Sequence, residues 1–411
     1  MEKTYKHLLR VKDLHTSFFI PAGEVKSVNG VSFALDEGKI LGIVGESGSG
    51  KSVTAYSILQ ILQYPGRIVS GSILYKGKQL IGIGDKEMSK IRGNKISIIF
   101  QDPMTSLNPT YTIGNQLIEA IRLHTTQKVE VKDLFGKVKK KKNGEIVYKD
   151  IHIRKDEAIK KAKEMMGLVG INEVDKRMKQ YPFELSGGML QRIMIAMGLV
   201  CEPDILIADE PTTALDVTIQ AQILDLLKTI QKKMGMAIII ITHDLGVIAQ
   251  ICDEVDVMYA GRVVERGTVE EIFYNPQHEY TKGLLKSIPK NTDKRGNKLI
   301  PIEGNPVDVF ALPEGCAFAP RCAECMNICL HKVPPKVKVN DNHYTCCFKY
   351  IQSQYLAKRI TKENMQKYMN GELVDKSLVL PQIPPDKIRI GDINSAPKEA
   401  TDKKNSWEVI K

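Results

Sequence analysis

The chain has 411 residues, 43% of them hydrophobic and 26% charged, and 59 Lys and Arg against 48 Asp and Glu give a net charge of +11. A length beyond that of a usual single domain buries a sizeable core and predicts one large unit with appended segments. The longest uninterrupted apolar run, residues 236–241, falls far short of the ~20 residues that cross a bilayer as a helix, and the N-terminus lacks an apolar signal region, which excludes a membrane-spanning chain and points to a soluble, cytoplasmic one.

In chain order, residues 8–35 mix β-prone residues with a Pro21-Ala22-Gly23 turn and read as short strands and hairpins leading into a buried strand at 39–44. A glycine-rich turn follows, and residues 52–62 have helical length and spacing. From 102 to 185 the pattern is mainly helical, interrupted at about 127–153 by a lysine-rich segment with Asn143-Gly144, read as an inserted loop or hairpin. Strands at 205–208 and 237–241, separated by an amphipathic helix over 218–233, imply a parallel sheet. After about residue 270 the periodicity weakens and prolines recur, as in a separate appendage. A short helix is expected from Tyr350, and disorder is expected around Pro381, Pro384, Pro385 and Pro397, where apolar residues are too few to pack.

Much of the positive excess is local, in Lys137, Lys139, Lys140, Lys141 and Lys142, which reads as a solvated segment more than as a nucleic-acid surface. Six of the eight cysteines fall between Cys316 and Cys347, and clustered thiols in a reducing compartment point to metal over disulfides.

Gly45-Glu46-Ser47-Gly48-Ser49-Gly50-Lys51-Ser52 matches the phosphate-loop pattern at every specified position, between a strand and a helix. Glycines let backbone N–H groups converge on phosphate oxygens, the helix presents its positive end, Lys51 neutralises the β- and γ-phosphates and Ser52 ligates Mg²⁺. Residues 205–210, Ile-Leu-Ile-Ala-Asp-Glu, end a buried strand with two carboxylates at the carboxyl edge of the sheet. Asp209 suits the Mg²⁺ shell, and Glu210 suits a general base that polarises the attacking water. The plain alternatives are a glycine turn and an acidic turn.

Leu185-Ser186-Gly187-Gly188-Met189-Leu190-Gln191-Arg192 opens an amphipathic helix that Ser186 can cap. This stretch resembles the signature motif of ATP-binding-cassette (ABC) proteins. Other family elements stand in order: Gln101 after Ile98-Ile99-Phe100, Ala214-Leu215-Asp216 after the carboxylates, and His243 after residues 238–242. The resemblance implies an α/β fold, a P-loop NTPase cassette with a RecA-like core, an N-terminal antiparallel β subdomain and a helical subdomain. It implies two cassettes that sandwich two ATP molecules head to tail, with Ser186, Gly187 and Gly188 serving ATP bound mainly by the partner. By the same resemblance Gln101 senses Mg²⁺ and the attacking water, His243 contacts the γ-phosphate and Asp216 lies at the cassette interface. An aromatic near the N-terminus stacks on adenine in this family; Phe18 is the candidate and Phe19 the next, with ordinary core packing the alternative for both.

Residues 275–285, Asn-Pro-Gln-His-Glu-Tyr-Thr-Lys-Gly-Leu-Leu, and Gly315-Cys316-Ala317-Phe318-Ala319-Pro320-Arg321-Cys322 are similar to the C-terminal region of oligopeptide and dipeptide permease ATPases. With the Leu-Ser-Gly-Gly-Met signature they resemble the D-type subunit, over about residues 8–350. This implies a peptide importer's ATPase on the cytoplasmic face of the cell membrane. It implies pairing with a paralogous F-type ATPase and two transmembrane permease subunits, indirect engagement of an extracytoplasmic peptide-binding protein, and no nucleic acid. The expected domains are 1–270, a nucleotide-binding domain with its helical subdomain at about 102–185; 271–350, a cysteine-rich C-terminal appendage; and 351–411, a tail. Members carry four cysteines, resembling Cys316, Cys322, Cys329 and Cys346, that bind a [4Fe–4S] cluster. Four thiolates suit iron–sulfur or zinc, and the added Cys325 and Cys347 leave open which of them ligate. Cys201 and Cys252 read as packing residues. For the lysine-rich insertion a solvated loop is the expectation, with contact to anionic lipid headgroups as the alternative. Two alternatives of function stand beside peptide import: an importer of nickel or another small solute, and a soluble ABC ATPase of translation or DNA repair. The single cassette and the permease-type stretches argue against the last.

Overall fold

The computed structural model describes residues 5–131, 138, 141, 146, 148–213, 215–288 and 301–356. Lys137, Lys139, Lys140 and Lys142 of the predicted lysine-rich run, Ala214 of the family motif and the tail from 357 lie outside the described residues. The chain divides into two compact units, Met1–Leu35 with Ile40–Ile81 and Ile241–Lys411, and Asp36–Lys39 with Gly82–Ile240.

In the first unit a hairpin pairs Leu9–Ile20 with Gly23–Leu35, and Gly66–Tyr75 joins on the other side of Leu9–Ile20, all antiparallel. The inward positions Leu9, Val11, Leu14, Val31, Phe33, Leu35 and Ile73 are buried, as a sheet with one solvated face requires. A second run of strands is ordered Val337–Lys338, Tyr344–Thr345, Arg262–Thr268, Glu254–Tyr259 and Ile40–Val44, the last pair parallel. Every residue of Ile40–Val44 is buried, the signature of a strand covered on both faces. The helix after it spans Lys51–Leu59, shorter than the predicted 52–62, because Gln60 turns into the left-handed region at φ 52 and closes it.

The region after residue 270 does not stand apart in packing. Tyr280 and Phe318 share one core with Val44, Val255, Val257 and Tyr259, and the rings of Tyr259, Tyr280 and Phe318 lie 4.7–5.4 Å apart. Three mutually tilted rings of this size bury large apolar area, with about 0.5–1.5 kcal/mol per pair beyond it. Buried Glu265 ties the same region together: its carboxylate accepts from the amides of Gln277 and His278 and pairs with His343 Nε2 at 2.8 Å. Burial alone would raise the Glu265 carboxyl, but the bonds from His343 and the Gln277 amide outweigh it and hold the group below its ordinary range.

In the second unit Ile96–Ile99 and Ile205–Asp209 pair in parallel, with Ala237–Thr242, whose residues through Ile240 belong here, on the other side of Ile205–Asp209. The parallel sheet expected from the sequence is thus present. Helices Ile113–His124, Lys155–Leu168 and Gly187–Leu199 pack together, and on them Leu117, Ile121, Ala158, Ala162, Met166, Leu190 and Ile193 are buried. The predicted insertion begins and ends in an antiparallel ribbon of Thr126–Glu130 and Tyr148–His152. Among the described residues no helix is long and apolar enough to cross a membrane.

Candidate functional site

The buried strand Ile40–Val44 delivers its chain end into a tight loop, and the loop's backbone leaves no room for side chains at two points. A Cβ on Gly45 would sit 2.2 Å from Met258 O, and one on Gly50, where φ is 94°, would sit 2.3 Å from Ser27 O. Lys51 is only 5% exposed, and its Nζ donates to Gly45 O (2.7 Å) and Glu46 O (2.9 Å), so the ammonium spans the loop from inside. Ser49 Oγ is buried and makes no hydrogen bond. A buried hydroxyl without a partner costs free energy, and a phosphate oxygen is the acceptor that such a loop satisfies. The donor set therefore fits a nucleotide phosphate.

Glu46 is held from further directions. Its amide donates to Tyr280 Oη at 2.9 Å, and its carboxylate receives both arms of Arg321, Nη1 to Oε2 at 2.6 Å and Nη2 to Oε1 at 3.0 Å. In the sequence Tyr280 and Arg321 stand out only as parts of the two branch-specific stretches, with no signal of this contact. The loop residues Glu46 to Ser49 also line a cavity of about 170 Å³ with Tyr259, Ala260 and residues 306–309. Phe18 is half-buried with its ring against Gly66, and Phe19 is exposed beneath the Arg67 guanidinium, 3.9 Å from the ring centre. His243 is exposed between Ala237–Thr242 and the helix Leu245–Ile251, which Asp244 caps through Gly246 N.

In the second unit Asp209 ends its strand almost fully buried, and Glu210 follows at φ 48, a conformation non-glycine residues rarely adopt. The turn aims the Glu210 carboxylate sideways, where Oε2 accepts from Gln101 Nε2 at 2.7 Å and from Thr213 Oγ1 at 2.9 Å. Two residues predicted 109 positions apart are thereby brought into direct contact. Asp216 caps the helix Val217–Met234 through Thr218 N and Ile219 N. Ser186 occupies the N-cap position of Gly187–Leu199, but its hydroxyl makes no capping bond, contrary to the sequence expectation. Ser186 and Gly187 are exposed, so this helix offers its N-terminal amides outward.

Cys316, Cys322, Cys329 and Cys347 line one cavity, with His278, Phe318 and Phe348. Cys346 does not line that cavity: its thiol is directed at Val263 O, 3.6 Å away, and it lines a neighbouring cavity with Arg262, Lys336 and, among the other cysteines, Cys316. Burial pushes the Cys322 thiol up to about 12 and that of Cys329 to about 11, and raises Cys316 and Cys347 in the same way. Such thiols keep their protons at neutral pH unless a coordinating cation displaces them. Among the described residues no group of three or more His, Cys, Asp or Glu is arranged around a single metal ion. Burial likewise raises Cys201 to about 11 and also raises Cys252, as expected of packing residues.

Residues 28–213 match the ABC transporter family, and residues 264–329 match the oligopeptide/dipeptide transporter C-terminal region. The chain is 51% identical over 348 residues to the dipeptide transport ATP-binding protein DppD of Bacillus subtilis, spanning 84% of this chain and 95% of that one. It is 46% identical over 345 residues to the oligopeptide transport ATP-binding protein OppD of Escherichia coli, spanning 84% and 94%. Among solved structures, cbiO1 from Clostridium perfringens, part of the ABC transporter complex cbiONQ, is 28% identical with a TM-score of 0.52 over 66% of this chain and 92% of that one. The cassette MJ0796, in a dimeric post-hydrolysis state with ADP and Pi, is 24% identical with a TM-score of 0.51 over 64% and 98%, a likeness of fold.

Proposed function

The chain belongs to the ABC transporter family, in the branch that carries the oligopeptide/dipeptide transporter C-terminal region, and we propose that it is the ATP-hydrolysing subunit of a peptide importer. The observation that carries this reading is that the likeness to a dipeptide transport subunit runs through cassette and C-terminal region alike, over 95% of the relative's length. Lys51 supplies charge to the β- and γ-phosphates, and the amides of Gly45 to Ser52, with Ser49 Oγ, bind phosphate oxygens. By the family resemblance Ser52, Asp209 and Gln101 would hold Mg²⁺, which would shield the phosphate charge. Glu210 takes the proton of the attacking water, Gln101 orients both, and His243 faces the γ-phosphate. Phe18 stacks on adenine. Ser186, with a hydroxyl not spent on its own helix, and the Gly187 and Gly188 amides complete a second subunit's nucleotide, and Asp216 serves that interface.

The chain then works on the cytoplasmic face of a membrane, paired with an F-type paralogue and docked on two permease subunits. Vesicles holding the assembled complex are expected to accumulate a labelled dipeptide or oligopeptide only with internal ATP. Uptake of nickel with no peptide uptake would overturn the cargo assignment.

For the cysteine-rich region we propose a [4Fe–4S] cluster held by Cys316, Cys322, Cys329 and Cys347. Their shared cavity supports Cys347 over Cys346 as the fourth thiolate, and a four-iron cluster spreads its thiolates farther apart than one ion does. When bound, such a cluster supplies an electron-transfer centre and ties four points of the chain together. Iron and sulfide are expected in anaerobically purified protein and absent after Cys347→Ser, while Cys346→Ser retains them; zinc alone, or neither metal, overturns the assignment.

A further inference from the structure

Glu46 raises an electrostatic difficulty that the phosphate loop by itself does not resolve. A carboxylate in a loop that binds polyphosphate repels its ligand, and the repulsion is strong where water is excluded. Here the charge is matched within the first unit by Arg321, whose side chain is 5% exposed and which meets both carboxylate oxygens. The guanidinium is itself fixed: Nε donates to Glu303 O at 3.0 Å, Nη2 to Ile302 O at 3.3 Å, and Nη1 reaches Tyr259 Oη at 3.4 Å. Tyr280, fully buried among Tyr259 and Phe318, fixes the Glu46 amide. The Glu46 carbonyl in turn accepts from Lys51 Nζ. One residue thus joins the C-terminal region to the lysine that meets phosphate.

The geometry points to Arg321 as a positioning residue for nucleotide binding, acting through Glu46 with the Tyr280 hydroxyl as a second anchor, so that the C-terminal region sets both the shape and the charge of the phosphate loop. This rests on the nucleotide reading of the loop. Arg321 itself touches no phosphate: it removes a repulsive charge and holds Glu46 where Lys51 can bridge. A planar fork is suited to that task, since it matches a carboxylate at two points, and a lysine ammonium does not.

The test uses the full-length chain and fluorescence titration with ATP, ADP and adenosine. Arg321→Gln is expected to weaken ATP about 10- to 100-fold, the range for losing a charge-assisted pair, and ADP less, while adenosine changes little. Adding Glu46→Gln removes the uncompensated charge and is expected to restore most of the ATP affinity. Arg321→Lys, which keeps the charge and loses the fork, is expected to fall between. A melting temperature measured without nucleotide separates this from unfolding, because general destabilisation would not sort ligands by phosphate count or recover in the double variant. If wild-type protein fails to bind ATP, the nucleotide reading itself falls. If wild type binds and Arg321→Gln and Arg321→Lys both bind ATP equally well, or the double variant is no better than the single, the positioning role is wrong.

Discussion

Lys51→Ala is expected to lower ATP affinity by about 10- to 100-fold while leaving adenosine affinity unchanged. Two effects add in the same direction. In the proposed nucleotide site the ammonium is the loop's charged donor to phosphate, and charge-assisted bonds contribute about 1.5–3 kcal/mol each. It also spans Gly45 O and Glu46 O in a side chain that is 5% exposed, so its removal leaves two carbonyls short of a donor and loosens a loop that has to be rigid to hold phosphate. Lys51→Arg is not a rescue, because a planar fork does not fit the space of a compact point charge between two carbonyls. Calorimetric titration of wild type and variant with ATP and ADP measures this. An ATP affinity within about twofold of wild type, less than 0.5 kcal/mol, would remove Lys51 from the phosphate site.

How much of this was legible in the sequence depends on the range of the interaction. The strand, loop and helix around Lys51 are local: an apolar run, glycines at fixed spacing and helical periodicity suffice, and the structure alters only the helix end, where Gln60 turns left-handed. The anchoring of Glu46 was not legible, because its partners lie 234 and 275 residues away and no periodicity joins them. The preference for Cys347 over Cys346 as the proposed fourth thiolate was not legible for a different reason. Adjacent residues leaving the short strand Tyr344–Thr345 face opposite ways, and composition cannot fix that phase. Ser186 shows the limit of a local rule: Ser before a helix predicts a cap, yet here the hydroxyl makes none, whereas Asp216, read only as an interface residue, makes two capping bonds. The C-terminal stretches looked like an appendage because their apolar residues are sparse along the chain. Tyr280 and Phe318 nonetheless find a core with Val44 and Tyr259, which only the fold brings near.

Glu210→Gln is expected to bind ATP within about twofold of wild type and to hydrolyse it roughly 10²- to 10⁴-fold more slowly in the assembled complex, the span that general-base catalysis contributes. The amide is nearly the same shape as the carboxylate, and its oxygen can still accept from Gln101 Nε2 and Thr213 Oγ1, so the turn at φ 48 and its rotamer survive. What is lost is the capacity to take a proton from water. Because binding persists and cleavage stalls, the variant is expected to accumulate as a nucleotide-bound pair with its partner cassette, seen as a larger species in size-exclusion chromatography with Mg-ATP and absent with ADP. Glu210→Ala lacks the acceptor for Gln101 as well, so it is expected to lose the orientation of that amide along with catalysis. Wild-type turnover by Glu210→Gln would show that another group accepts the proton. A slow variant that never accumulates the pair would instead separate Glu210 chemistry from the closing of two cassettes around ATP, since the γ-phosphate it fails to cleave is the group expected to hold them together.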